Sequence, residues 1–297
     1  MISFLFLQIK IETSVSFKFM YYLCRQIDGF SMELPVLESV KVIERQYRTG
    51  EEPVLVMCSD KNAYVCKYMR SSLAAYKMVC ELIGARMAMA WQIATPEVAF
   101  VQIKQGHWAG HFVPHNHHAP AFGSKQLYSV VDVTPTTYRE VKPSQTALQQ
   151  LMKIALFDFW MANEDRNANN ANLLYDVLRE RIVSIDYGCI LNTATYDFPM
   201  SQLTSTDTIL WSDLFKHLAH GHKKESIDDI VKGLEKDYAD CLKQSGRAVR
   251  LILDELPEEW KVSSNIVEAK LSQLFEKQWF RGVWENFMEC LSENIRG

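Results

Sequence analysis

The chain has 297 residues, 48% of them hydrophobic and 23% charged, with a formal net charge of −4. This is ordinary globular material, long enough for one large domain or two lobes sharing a cleft, and its charge gives no bulk attraction to nucleic acid or an anionic membrane. Seven scattered cysteines without a CxxC spacing suit reduced thiols in a cytoplasmic protein rather than a disulfide framework, and no run approaches the roughly 20 apolar residues of a membrane-spanning helix.

The opening stretch, MISFLFLQIKIETSVSFKFMYYL, has an apolar run like that of a signal peptide. No basic segment precedes the run, Lys10 and Glu12 interrupt it, and no small-x-small cleavage site follows. Residues 1–31 therefore read as a poorly ordered extension, with Met32 opening the folded part.

Val40 to Gln46 alternates and is rich in β-branched residues, which predicts a strand. Tyr47 to Pro53 is a polar loop with the single glycine Gly50. Val54 to Cys58 and Ala63 to Tyr68 read as strands around the turn Ser59-Asp60-Lys61-Asn62. A turn centred on Asp60 and Lys61 sets Lys67 opposite Val54, at the mouth of the polar loop, where an ammonium can reach phosphates held beneath it. Leu73 to Trp91, with Gly84 as its only weak helix former, predicts a helix, and Val98 to Ile103 another strand. Glu81 on that helix can pair with Lys67 and aim it. These elements make a small antiparallel-sheet lobe over residues 32–103.

Gln105 to Lys125 is rich in Gly, Pro and His and reads as an irregular connection. Its five histidines (107, 111, 115, 117 and 118) have no cysteine partner and no helix to fix a ligand face, so adventitious metal binding is expected rather than a dedicated site. Pro143 then opens a long helix, Ser144 to Met161, with Leu148, Leu151, Ala155 and Phe159 on one face. The rest of residues 104–297 is mostly helical. Ser226 and Asp229 suggest a capping box for a helix toward Gln244, and Trp279, Phe280, Trp284 and Phe287 share one helical side, as core residues do. The fold class expected is α+β, with two lobes in a protein-kinase-like arrangement.

The chemistry concentrates between Met161 and Tyr187, MANEDRNANNANLLYDVLRERIVSIDY. Leu173 to Tyr175 and Ile182 to Ile185 are short apolar strands joined by the charged turn Asp176 to Arg181. A hairpin centred between Leu178 and Arg179 sets Asp186 opposite Ala171, next to Asn170. Two oxygen ligands thus meet at one end of the hairpin, as a magnesium ion requires, with Asp186 the principal ligand and Asn170 a neutral second. Asp165 can orient an attacking hydroxyl and accept its proton, and Arg166 can hold the loop or a nearby carboxylate. Lys67 would grip the α- and β-phosphates of ATP, and the adenine would rest against the connection after Ile103.

Three stretches resemble the HipA-like kinases, a bacterial branch related to the protein-kinase and phosphatidylinositol-kinase folds. CELIGARMAMAWQIATPE is similar to that family's helix and the Pro-Glu that opens its next strand. PAFGSKQL (Pro120 to Leu127) is similar to a recurrent Phe-Gly-Ser-Lys segment, and LPEEW (Leu256 to Trp260) to the helical tail. The likeness spans roughly Val36 to Trp260. It implies that Lys67 is the ATP-binding lysine, Glu81 the helix glutamate, Asp165 the catalytic aspartate, and Asn170 and Asp186 the metal ligands. It further implies ATP- and magnesium-dependent transfer to a serine or threonine of a protein substrate, phosphorylation of the polar loop at Thr49, and a toxin-like role with an antitoxin-like regulator. Two features depart from the pattern: Asn167 stands where a histidine is frequent, and the polar loop has Gly50 alone. Two other readings stay open, a small-molecule kinase and a nucleotide-binding pseudokinase acting as an interaction module. No direct contact with nucleic acid or membrane is expected.

Overall fold

The structure is a computed structural model that describes residues 33–108, 110, 111 and 113–296. The extension expected over residues 1–31 lies outside the described residues.

Six strands form the first sheet: β1 (Val36–Glu38), β2 (Arg45–Gln46), β3 (Val54–Met57), β4 (Ala63–Lys67), β5 (Val98–Gln102) and β6 (Ala121–Lys125). Their order is β1-β5-β6-β4-β3-β2, antiparallel except for the parallel pair β1 and β5. Because β1 and β2 lie on opposite edges, the chain between them must cross the sheet. That is why the alternation of Val40 to Gln46 does not make one strand. Val40 and Val42 face solvent, Ile43 alone is buried, and only Arg45 and Gln46 pair with β3.

The stretch expected to be irregular from Gln105 to Lys125 ends in β6, an inner strand between β4 and β5. The sheet therefore continues past Ile103, where the small lobe was expected to close. Gly123 hides this strand from a propensity reading, yet the packing needs it: a Cβ there would lie 2.8 Å from Val101 Cγ2 and 3.3 Å from Tyr64 Cβ. The β3–β4 register is also one residue off the expected one, with Val54 opposite Cys66. Lys61 takes a left-handed φ of 67°, and Cys58 N donates to Asn62 O at 2.9 Å. The loop thus has three residues centred on Asp60, which sets Lys67 beside Pro53 rather than Val54.

Helix α1 (Ser72–Ala90) starts where Ser71 Oγ accepts from Ala74 N and has thirteen buried residues of nineteen. From Met78 to Ala88 every residue is buried, as suits a helix segment enclosed on every side. At its far end Arg86 forms a buried ion pair with Glu255, and Trp91 Nε1 donates to Ser245 Oγ at 3.0 Å. A second, three-stranded sheet joins β7 (Val130–Asp132), β8 (Leu173–Asp176) and β9 (Arg181–Ser184) in that order. Leu173 pairs with Ser184 and Tyr175 with Ile182, the register expected for a hairpin centred between Leu178 and Arg179.

Between these strands runs α2 (Gln145–Met161), capped by Ser144 and stopped by Ala162 at φ 48°. The longer helices that follow are α3 (Asp213–Ala219), α4 (Lys224–Glu255), α5 (Ser264–Gln273) and α6 (Lys277–Arg296). Ser226 and Asp229 lie inside the first turns of α4 and do not cap it; Asp229 pairs with Lys232 instead. The helix continues for 32 residues. Trp279, Val283 and Phe287 of α6 are buried, and Trp279 Nε1 donates to Trp160 O at 3.0 Å, so that aromatic side packs the core. Trp260 ties the helical tail to the first sheet, donating to Pro120 O at 2.7 Å and meeting Phe100 edge-on. Among the described residues no helix is long and apolar enough to cross a membrane.

Candidate active site

The end of β4 presents Lys67 to three carboxylates. Its ammonium lies 2.5 Å from Glu81 Oε1 on α1, 2.6 Å from Glu51 Oε2 on the polar loop and 2.8 Å from Asp186 Oδ1 just after β9. Burial would push this ammonium down, but the charges of Glu81, Asp186 and Glu51 outweigh it and hold it well above the usual lysine range. Burial raises Glu81 to about 7 despite the opposing pull of Lys67. Asp186 is part-exposed; burial acts to raise it, and Lys67 with its hydrogen bond brings it below the usual carboxylate value. The second oxygen of Glu81 accepts from Tyr187 N at 3.1 Å, so one buried glutamate fixes both the lysine and the peptide group that follows Asp186.

Two local devices make room for this cluster. Asp186 has a φ of 59°, a conformation that costs a residue of this type on the order of 1–2 kcal/mol and is tolerated where the surroundings enforce it. Gly188 leaves the space beside it open, since a Cβ there would lie 3.2 Å from both Glu51 Oε1 and Glu81 Oε1.

Asp165 follows α2 on a loop riveted to the Asp186 segment. Arg166 is fully buried; it pairs with Asp158 of α2, donates to Ile185 O at 2.8 Å and stacks its guanidinium 5.4 Å from the Tyr187 ring centre. Asn163 adds a hydrogen bond to Asp158 at 2.9 Å. On the other side of Asp165, Glu164 N donates to Cys189 O at 3.4 Å. The residues flanking Asp165 thus bond to residues on either side of Asp186, which brings the two aspartates to one place.

Asn170 and Asn172 divide differently from the expectation. Asn170 is exposed, and its main chain closes a turn with Asn167. Asn172 donates through Nδ2 to Asp165 Oδ2 at 3.0 Å, and its carbonyl accepts from Ile185 N at 3.1 Å, directly beside Asp186. The hairpin register is the expected one, but it places two asparagines about Ala171, and the one on the strand side reaches the site. A signal for this was present: Asn172 immediately precedes Leu173, the first strand residue, whereas Asn170 belongs to the turn.

Ile103 is also placed differently. It is 3% exposed and packs in the sheet core with Ile43, Tyr68 and Trp108, so its side chain is taken up there rather than offered to a ligand. Three of the clustered histidines serve local structure: His107 bonds Ser39 at 2.7 Å, His111 bonds Gln46 at 3.1 Å and His117 bonds Pro114 O at 3.2 Å. Among the described residues, Glu51, Glu81 and Asp186 form a group of acidic side chains whose ligand oxygens lie within 4.8 Å of one another, close enough to share an ion.

Three residues escaped the sequence reading. Glu51 lies in the polar loop, where the expectation fell on Gly50 and Thr49 instead. Lys77 pairs with Glu51 at 2.9 Å; it precedes Glu81 by one helical turn, which puts both on one face of α1. Glu164 accepts from Asn192 and Thr193, at 2.9 and 2.6 Å, in a turn whose residues 191 to 194 all have left-handed φ. No periodicity announces such a turn.

The family model described as HipA-like kinase matches residues 40–281 of the chain. No curated protein matches it.

Proposed function

The chain belongs to the HipA-like kinase family, and from that premise we propose an ATP- and magnesium-dependent phosphotransferase, acting on serine or threonine of a protein substrate. The observation that carries this reading is the part-buried Lys67–Glu81 pair reaching Asp186 beside an asparagine-clamped Asp165. Lys67 binds phosphate oxygens, and Glu81 keeps its ammonium aimed at them. Asp165 orients the acceptor hydroxyl and takes its proton as the oxygen–phosphorus bond forms and ADP leaves. Asn172, donating through its amide nitrogen, holds Asp165 in place and leaves its own amide oxygen for a cation.

Hard oxygen donors are what magnesium selects, so this donor set fits that ion. Asp186 and Asn172 would hold it, in place of the Asp186 and Asn170 expected from the hairpin and the family resemblance. When bound, magnesium neutralises charge on the phosphate oxygens. The rest of the catalysis is placement: the transferred group needs little covalent help.

The test is transfer from labelled ATP to protein in a cell lysate, compared between the wild type and Asp186→Ala. Loss of transfer in the variant is expected, and undiminished transfer would refute the assignment. Label appearing only on small molecules would move the acceptor class to metabolites.

A further inference from the structure

Glu51 is the least explained member of the cluster. Lys67 already has Glu81 and Asp186 within 2.8 Å and needs no third carboxylate. Yet Glu51 places one oxygen 2.6 Å from Lys67 and the other 2.9 Å from Lys77. One carboxylate bridging two ammoniums through separate oxygens is the way a phosphate group is also gripped. The contact has an opposing side: ligand oxygens of Glu51, Glu81 and Asp186 all lie within 4.8 Å of one another. With all three carboxylates ionised, three against two ammoniums leave one negative charge in excess, and withdrawing Glu51 leaves the group neutral.

The loop is built to let it withdraw. Tyr47 N donates to Pro53 O and Glu52 N to Thr49 O, both near 3 Å, so the tip is a closed turn on a narrow neck. Glu52 has a φ of 45°, and nothing lies within 4 Å of where a Gly50 side chain would be. Gly50 is thus free of core packing, and the tip is held inward mainly by polar contacts: Glu51 to Lys67 and Lys77, and Glu52 to Arg70 at 2.9 Å and Gln46 at 3.2 Å.

We propose that Glu51 is an internal counter-anion occupying the place of a nucleotide phosphate between Lys67 and Lys77, and that Lys77 becomes a second phosphate-binding residue once Glu51 is displaced. This rests on reading the pocket as a phosphate site. It assigns Lys77 a task and makes the loop a competitor of its own ligand. The competition acts on binding: ATP must break two ion pairs before it can make its own.

The experiment is calorimetric titration of the full-length protein with ATP and magnesium, with adenosine as a ligand that lacks phosphate. Glu51→Gln keeps the shape of the side chain and removes the charge, so ATP should bind about tenfold more tightly and adenosine no differently. Adding Lys77→Met to that variant should cost about tenfold in ATP affinity. Lys77→Met alone should cost less, because it also frees Glu51, and Lys77→Arg should retain affinity. Glu51 lies on a loop and Lys77 is part-exposed, and a melting curve for each variant checks that folding is intact. Unchanged or weaker ATP binding by Glu51→Gln, with the wild type binding normally, overturns the role of Glu51 and leaves the phosphate site standing. No loss on adding Lys77→Met to Glu51→Gln overturns the role of Lys77. Failure of the wild type and Glu51→Gln alike to bind ATP overturns this proposal together with the phosphate-site reading.

Discussion

Replacing Gly84 by alanine sets two effects against each other. In the middle of a helix, alanine is favoured over glycine by about 1 kcal/mol, so propensity alone predicts a more stable protein. The packing predicts the opposite. A Cβ on Gly84 would lie 2.2 Å from Tyr187 Cβ and 2.3 Å from Cγ, atoms close to the backbone that cannot swing aside as a side-chain tip would. Neither partner has room to retreat. Helix α1 is pinned by Arg86–Glu255 and Trp91–Ser245, and the Tyr187 ring sits between Phe157 and Arg166. Overpacking of this kind costs about 1–3 kcal/mol, which leaves a net loss of roughly 0–2 kcal/mol after the propensity gain. The larger effect should be on activity, because Tyr187 adjoins Asp186. A displacement near 1 Å in a reacting constellation can cost about a hundredfold in rate. Urea unfolding and initial rates of phosphoryl transfer, measured where the variant is fully folded, give the two readouts. A Gly84→Ala protein about 1 kcal/mol more stable and fully active would refute the reasoning.

Asn172→Ala should reduce transfer by two orders of magnitude or about that, since it removes both the clamp on Asp165 and the proposed cation oxygen, while Asn170→Ala stays near wild type. The reverse ranking in the same rate assay would return the ligand role to Asn170. Arg166→Met leaves Asp158 buried without its countercharge and should cost about 3–5 kcal/mol in urea unfolding; a loss below about 1 kcal/mol would mean the pair is solvated. Asp60 is held below the usual carboxylate range: burial acts to raise it, but hydrogen bonds from Asn62 and Tyr64 and the charge of Lys125 prevail. A depressed folded value favours the native state above the unfolded value of about 3.9, and that contribution disappears as the pH falls through the folded one. Asp60→Asn should therefore unfold more easily at neutral pH and lose less stability on acidification, and parallel acid curves for the two proteins would contradict this.

What the sequence makes legible is local and periodic. The β8–β9 hairpin could be registered because a charged turn separates two short apolar runs, leaving one centre that puts both on the same face. The Lys67–Glu81 pair was readable because a strand lysine followed by an apolar helix leaves that glutamate little else to meet. Where one residue's conformation decides, the reading fails. A left-handed Lys61 shifts the β3–β4 register, and Gly123 disguises an inner strand that only the proximity of Val101 explains. The choice between Asn170 and Asn172 turns on where a strand begins, which spacing cannot resolve. Glu51 and Lys77 stayed invisible for another reason: their partnership spans a loop and a helix, and no pattern along the chain links the two.

The moorings of α1 have a consequence for how such a molecule can be controlled. The helix that carries Glu81 is bolted at one end to the last turn of α4 through Arg86 and Glu255, and wedged at its middle against Tyr187. Rocking it outward would strand a buried guanidinium and a buried carboxylate, at a cost of several kcal/mol, and would drag Asp186 along with it through Tyr187. A swinging helix is therefore a poor throttle for this architecture, and on the proposed reading control falls instead to the short charged loop at residues 47–53.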